Sequence, residues 1–471
     1  MPHPSSQPTA PAGSTLWLAL LVALTFFMEN LDATVIVTAI PQMAREFVVG
    51  PVALNVGISA YLLAVAIFIP ISGWLAGRFG ARNLFAAAIL LFTLASVLCG
   101  VSDNLPLFTF SRVLQGIGGA LMVPVGRMVV LGVTAKKQMV KTIAVITWPG
   151  LIAPVLGPPL GGLIVTYGHW SWIFWLNIPL GILALVATWW LVPQSRNHAL
   201  RPFDGLGFVY TALACVTLVS GLELLGHSEL TSGLLLLVVG IASAVLSYRH
   251  SLRHPAPLLP FGTLAIPTFR STAIAGSYFR ASINAIPFLL PLLFQLSFGW
   301  SAVQAGSMVL WVFAGNLAMK PATTWLMNRF GFRRILLWNG LISLLAVLSC
   351  VLLSPSLSYF AIATILFIGG LTRSLQFSCY NSLGFADVPQ EKMADASVIF
   401  SIFFQFSMSA GIAISALLMR ISMGWRDSNV PGQMDVNVAF IGISLLVACS
   451  LVNVWRLEKN AGQQLLKQRN G

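Results

Sequence analysis

Long apolar runs follow one another along this chain with only short polar breaks, and their length decides what they form. A helix that crosses the ~30 Å hydrocarbon core of a bilayer needs about 20 mainly apolar residues. Such stretches occur at residues 16–41, 54–77, 83–101, 106–132, 141–166, 172–192, 205–226, 231–249, 270–297, 302–327, 335–354, 357–383, 396–419 and 436–456. They are too continuous, and too poor in period-two alternation, for a transmembrane barrel. The pattern predicts an all-α polytopic membrane protein with 14 transmembrane helices.

Composition agrees with the bilayer. Charged residues make up 8% of the chain and hydrophobic ones 57%, whereas a soluble domain carries about 25% charged residues. Disorder is excluded by the same balance, because disordered chains are hydrophilic. The net charge of +13 raises the question of nucleic acid. The cations, however, come in twos and threes between apolar stretches, as topology signals do, and no nucleic-acid partner is expected. With the N-terminus inside, the cytoplasmic loops and tail collect Arg78, Arg82, Lys136, Lys137, Lys141, Arg253, Arg329, Arg333, Arg334 and others, nineteen in all. The opposite side holds only Arg45, Arg420 and Arg426. Both termini are therefore expected in the cytoplasm. Residues 1–15 read as a disordered tail and not a cleaved signal, and residues 457–471 as a cytoplasmic tail. The five cysteines are scattered and suggest neither a disulfide framework nor a metal site.

The segment Trp74–Arg82, WLAGRFGAR, recurs as Trp325–Arg333, WLMNRFGFR, at the cytoplasmic end of another span. Parallel repeats of this kind are a transporter architecture. They predict an N-terminal six-helix bundle over 16–192, an inserted helix pair with its linkers over 193–269, and a C-terminal six-helix bundle over 270–456.

Further motifs sit in order along the chain. Gly73, Leu75, Ala76, Arg78, Gly80 and Arg82 form a loop motif in which Gly77 takes the place of an acidic residue; Arg329, Gly331 and Arg333 are its second copy. Leu31, Asp32, Thr34, Val35, Ala39 and Pro41 lie in span 1, and Arg112, Gln115, Gly116, Gly118 and Gly119 in span 4. Gly157, Pro158, Gly161 and Gly162 lie in span 5, and Trp170, Trp172, Ile173, Phe174, Asn177, Pro179 and Gly181 lead into span 6. With these motifs the chain resembles the major facilitator superfamily, and within it the fourteen-span drug:proton antiporters. The resemblance implies a major facilitator fold and export of amphipathic organic compounds against protons by alternating access. It places the chain in a bacterial inner membrane as a multidrug efflux protein without enzymatic activity. It also implies that the repeated loop pins helices in one conformation and that the span 5 motif seals the closed pathway.

An ionisable group at the bilayer centre costs roughly 2.5–3.5 kcal/mol on insertion scales, so charges inside spans mark function. Glu29, Asp32, Arg112, Glu223, Arg280, Lys320 and Arg373 qualify. Asp32, with Glu29 three residues before it on the same helix face, is the candidate proton-coupling group, and Arg112 is the cation that would oppose it. Glu223 and Lys320 are expected to snorkel toward the span ends. Arg280, Arg373 and nearby Asn284 are candidate substrate-binding residues, with Gly369 and Gly370 leaving room beside Arg373. Because the C-terminal spans carry cations without an evident carboxylate, organic anions or anionic metal chelates are an alternative cargo.

His250 and His254 are spaced as a helical pair but read as a solvated basic loop beside Pro255, so no metal is assigned. No phosphate-binding loop points to ATP, and no hydrolase motif appears. The expected partners are a small-molecule substrate, protons and the lipid bilayer. No cofactor is implied, and a monomer is compatible with the sequence. A membrane sensor on a transporter fold is the remote alternative.

Overall fold

The computed structural model describes residues 12–49, 54–134, 138–194, 202–226, 230–427 and 431–462, and every regular element among them is helical. The chain divides into two compact units. One comprises Met1–Asp204 with Pro389–Val398, and the other Gly205–Val388 with Ile399–Lys467.

The first unit holds α1 (Ala12–Glu46), α2 (Asn55–Phe68), α3 (Ser72–Phe79), α4 (Ala81–Gly100), α5 (Leu105–Val133), α6 (Met139–Tyr167), α7 (Ser171–Trp175) and α8 (Asn177–Leu191). Helix α1 starts at Ala12, so residues 12–15, expected in the tail, are its first turn; residues 1–11 lie outside the described residues. The second apolar stretch is broken at Ile69–Ile71 into a tight 3-10 turn around Pro70, which lacks the N–H that a continuous helix needs. Helix α5 starts where the Asn104 side chain accepts from the Leu107 amide at 2.9 Å, a cap for one of the free N–H groups of the first turn. Near the C-terminal end of α1, Phe47, Phe108, Trp170 and Phe174 pack edge to face and tilted at 5.6–6.1 Å between ring centres.

The second unit holds α9 (Gly205–Gly226), α10 (Leu230–Arg253), α11 (Pro267–Leu292), α12 (Ala302–Ala318), α13 (Lys320–Phe330), α14 (Phe332–Ser349), α15 (Tyr359–Ala386), most of α16 (Met393–Trp425) and α17 (Gln433–Trp455). Helices α9 and α10 pack on each other through small residues, with Thr211 and Ser247 hydroxyls 2.7 Å apart. Leu289, Phe294, Met308, Leu366, Phe440 and Ile443 form the fully buried core of the α11, α12, α15 and α17 packing.

Twelve helices among the described residues are long and apolar enough to cross a membrane. The expected stretches 141–166 and 302–327 stand outside that set. The first lies in the 29-residue α6. The second is divided between α12 and α13 by a break at Met319, just before Pro321. The repeated loop takes the same conformation twice: Gly80 separates α3 from α4 at φ 83°, and Gly331 separates α13 from α14 at φ 78°. Only glycine occupies that region without strain.

Candidate functional site

Five helices of the first unit converge on Asp32. Its carboxylate is fully buried on α1 and accepts from Arg112 Nη1 of α5 at 2.6 Å, from Gln115 Nε2 at 2.9 Å and from Asn177 Nδ2, the first residue of α8, at 3.1 Å. Gln115 also donates to Ser96 Oγ of α4 at 2.8 Å and takes a second bond from Arg112 Nη1 at 2.6 Å. The guanidinium lies over the ring of Tyr61 from α2, 4.4 Å from its centre. An ion pair taken out of water is tolerated only when its remaining donors and acceptors are satisfied. Here the side-chain amides of Gln115 and Asn177 do that for the carboxylate.

Glu29 does not share these donors. One of its carboxylate oxygens is buried without a hydrogen-bond partner, as is the Tyr61 hydroxyl. Both residues border Gly119: a Cβ there would lie 3.1 Å from Tyr61 Oη and 3.6 Å from Glu29 Oε1. Arg127, further along α5, acts electrostatically on Glu29. Of the two acidic groups of α1, Asp32 pairs with Arg112 and Glu29 stands outside that pair. In the sequence, neutral Gln115 and Asn177 stand out only as motif residues, and Ser96 and Tyr61 do not stand out at all.

Around the site, Gly157 and Gly161 of α6 lie against Thr34, Val35 and Thr38 of α1, so close that any side chain would collide with them. Gly162 has open space, and the side chain of Pro158 lies outside the described residues. Gly73 faces Val398. The arginines of the repeated loop meet no carboxylate in the contacts seen. Arg78 lies over Trp74 at 5.8 Å, Arg82 over Trp189 of α8 at 4.5 Å, and Arg333 Nη2 donates to the Trp455 carbonyl of α17 at 2.9 Å. Arg329 is exposed. In each unit the last arginine of the loop thus grips the end of that unit's final long helix.

In the second unit Arg280 is fully buried. Its Nη2 donates to Ser277 Oγ at 3.2 Å and to the Thr272 carbonyl at 3.4 Å, and the guanidinium lies 5.1 Å from the Phe400 ring centre. Asn284 donates to Met408 Sδ. Arg373 has a buried Nη1 with no hydrogen-bond partner. Of the two glycines before it, Gly370 serves a close crossing with α12 at Val312, and only Gly369 has space. Lys320, the first residue of α13, does not snorkel: its ammonium donates to Ser378 Oγ of α15 at 3.1 Å. The side chain of Glu223 lies outside the described residues. His250 belongs to the last turn of α10 and not to a loop, and its ring stacks on that of His254 at 5.0 Å.

A family model described as Major Facilitator Superfamily matches residues 22–412. The chain is 37% identical over 408 residues to a protein of Enterobacter sp. (strain 638) named "Putative multidrug resistance protein MdtD", covering 86% of each chain. It is 36% identical over 446 residues to the protein of the same name from Pectobacterium carotovorum subsp. carotovorum (strain PC1), covering 93% of this chain and 95% of the relative. Among solved structures, the proton:xylose symporter XylE superposes with a TM-score of 0.67 at 15% identity, over 96% of this chain and 98% of the other. The human organic anion transporter MFSD10 superposes with a TM-score of 0.65 at 14% identity, over 95% of this chain and 100% of the other. At such identities the likeness concerns the fold alone.

Proposed function

This chain belongs to the Major Facilitator Superfamily, and on that footing we propose that it is a proton-driven exporter of amphipathic organic compounds. It works by alternating access as a fourteen-span protein of the bacterial inner membrane, with both termini in the cytoplasm. The membrane transporter itself follows from the family; the direction, the proton coupling and the cargo are the reading offered here.

The observation that carries it is the Asp32–Arg112 pair, buried to about 1% exposure at the meeting of five helices. A structural pair would be cheaper as two apolar side chains. A coupling pair needs an acid that holds its cation when ionised and frees it when protonated. Asp32 is that acid and Arg112 its cation, with Gln115 and Asn177 available to the freed groups. Glu29, three residues before Asp32 on α1 and with one buried oxygen unpartnered, is the second proton-coupling residue. Arg280, Arg373 and Asn284 are assigned to the substrate. The multidrug resistance named for the relatives supports a broad apolar cargo.

The test is transport in inverted membrane vesicles that carry a pH gradient. The Asp32→Asn variant keeps the size and most of the hydrogen bonding and loses the charge. It is expected to reach the membrane normally and to lose gradient-driven accumulation of substrate. Accumulation by Asp32→Asn equal to that of the unaltered protein, with unchanged pH dependence, would move the coupling to Glu29 or elsewhere.

A further inference from the structure

Among the described residues of the second unit, Lys320 and Arg373 are cations with no carboxylate in the contacts seen. Between Glu229 and Asp387 the sequence contains no Asp or Glu, and this stretch builds all of α10 to α15. Arg280, Lys320 and Arg373 lie within it. Of the acids that follow, Asp435 is taken by Arg426 and by the Gly432 amide. Asp387, Glu391, Asp395 and Asp427 sit at helix ends or in turns, and Glu458 follows the last helix.

Helix α15 repeats the key sequence of α5. Ser111-Arg112-x-Leu114-Gln115 recurs as Thr372-Arg373-x-Leu375-Gln376. In α5 the arginine and the glutamine both turn to the carboxylate that α1 brings. In α15 the glutamine is diverted: its amide donates to the Leu336 carbonyl and its oxygen accepts from Asn339, each at 2.9 Å. Helix α11 has no acidic residue to bring, and Arg373 keeps a buried Nη1 with nothing to donate to. A guanidinium in the membrane is retained where it has an anion to meet. On the neighbouring helix Lys320 reaches α15 but finds only the neutral hydroxyl of Ser378. One turn beyond Arg373, the ring of Phe377 meets that of Phe404 at 6.0 Å, and Phe404 also lies under Arg280 at 5.8 Å. Two cations and an aromatic wall therefore border the same helix.

We propose that the carboxylate missing from this repeat is supplied by the cargo: the second unit binds organic anions, with a carboxylate or sulfonate taken by Arg373 and drawn by Lys320, and a planar apolar body laid against Phe377 and Phe404. An arginine fork suits a planar carboxylate, and aromatic faces suit a flat ring system. This substrate class rests on the export reading above, but its binding step needs no gradient.

Two dyes on one scaffold with opposite charge make the test. Fluorescein as the anion and tetramethylrhodamine methyl ester as the cation are titrated against the full-length protein purified in detergent, at alkaline pH, with fluorescence anisotropy as the readout. The anion is expected to bind at least about tenfold more tightly than the cation, a difference of about 1.4 kcal/mol. Arg373→Gln is expected to erase about tenfold of anion affinity and to change cation binding less than about twofold. Arg373→Lys should recover part of the loss, and Lys320→Gln should weaken the anion by a few fold. Equal binding of the two dyes by the unaltered protein would overturn the inference without any variant. So would unchanged anion affinity in a monodisperse Arg373→Gln protein. Vesicle transport separates the two readings. Tight anion binding with no response to a collapsed pH gradient removes proton drive and leaves the anion site. Gradient-driven export of the cation by a protein that does not bind the anion does the reverse.

Discussion

Asp32 has more donors than its charge requires. Arg112, Gln115 and Asn177 come from α5 and α8 to one carboxylate on α1, and removing the cation alone leaves that charge buried without its counterpart. Breaking such a pair costs about 3–5 kcal/mol, whereas replacing both charges together can be nearly neutral. Arg112→Ala should therefore lower the unfolding midpoint of the purified protein strongly, and the double variant Asp32→Asn with Arg112→Gln should be more stable than Arg112→Ala. Titration with denaturing detergent, followed by circular dichroism, measures both. Asp32 and Arg112 could be found in the sequence because an ion inside an apolar stretch breaks its pattern. The role of their satisfiers could not. Gln115 and Asn177 stand in the span 4 and span 6 motifs and Ser96 in none, but all three are neutral, and their place around the pair exists only once distant segments pack. Lys320 departs from its expectation for a different reason. Depth was judged from the ends of apolar stretches, and near those ends a functional cation and a topology signal look alike.

At the level of elements, the helices were legible from length and hydropathy because the bilayer sets how long an apolar helix must be. The interruptions were not. The turn at Ile69–Ile71, the π-turn at Leu293–Ser297 and the break at Met319 depend on local proline placement and packing, which a hydropathy profile averages away. The positive-φ glycines give a direct test. Gly331→Ala forces a side chain into a backbone region that costs about 1–3 kcal/mol, whereas Gly77, with nothing within 4 Å of its missing Cβ, should accept alanine with no measurable change. Melting of the two purified variants is the comparison. Between α1 and α6 the expected effect is on transport as well as stability. Gly161→Val places methyl groups against the Val35 carbonyl and Thr38, so α6 must withdraw from the helix that carries Asp32. The expected result is loss of transport, with protein still present in the membrane.

The whole molecule presents its hydrophobic side chains outward as freely as inward. Trp17, Trp190, Trp338 and Trp455 are among the most exposed large residues, and rings of this kind gather at membrane–water interfaces. Reporter fusions should place Arg253 and Arg333 in the cytoplasm and Asn104 and Gly432 on the opposite side; a cytoplasmic signal at either of the latter two overturns the fourteen-span arrangement. The Asp32–Arg112 pair also bears on how such a chain is made. Its two members are 80 positions apart in the sequence, and at translation rates of roughly 5–20 residues per second Asp32 precedes its cation by about 4–16 s. During that interval the first helix carries Glu29 and Asp32 with neither Arg112 nor Arg127 yet synthesised. Until the fourth span is made, the charge of Asp32 has no cation to meet, and the insertion cost of roughly 2.5–3.5 kcal/mol per central charge falls on the first helix alone.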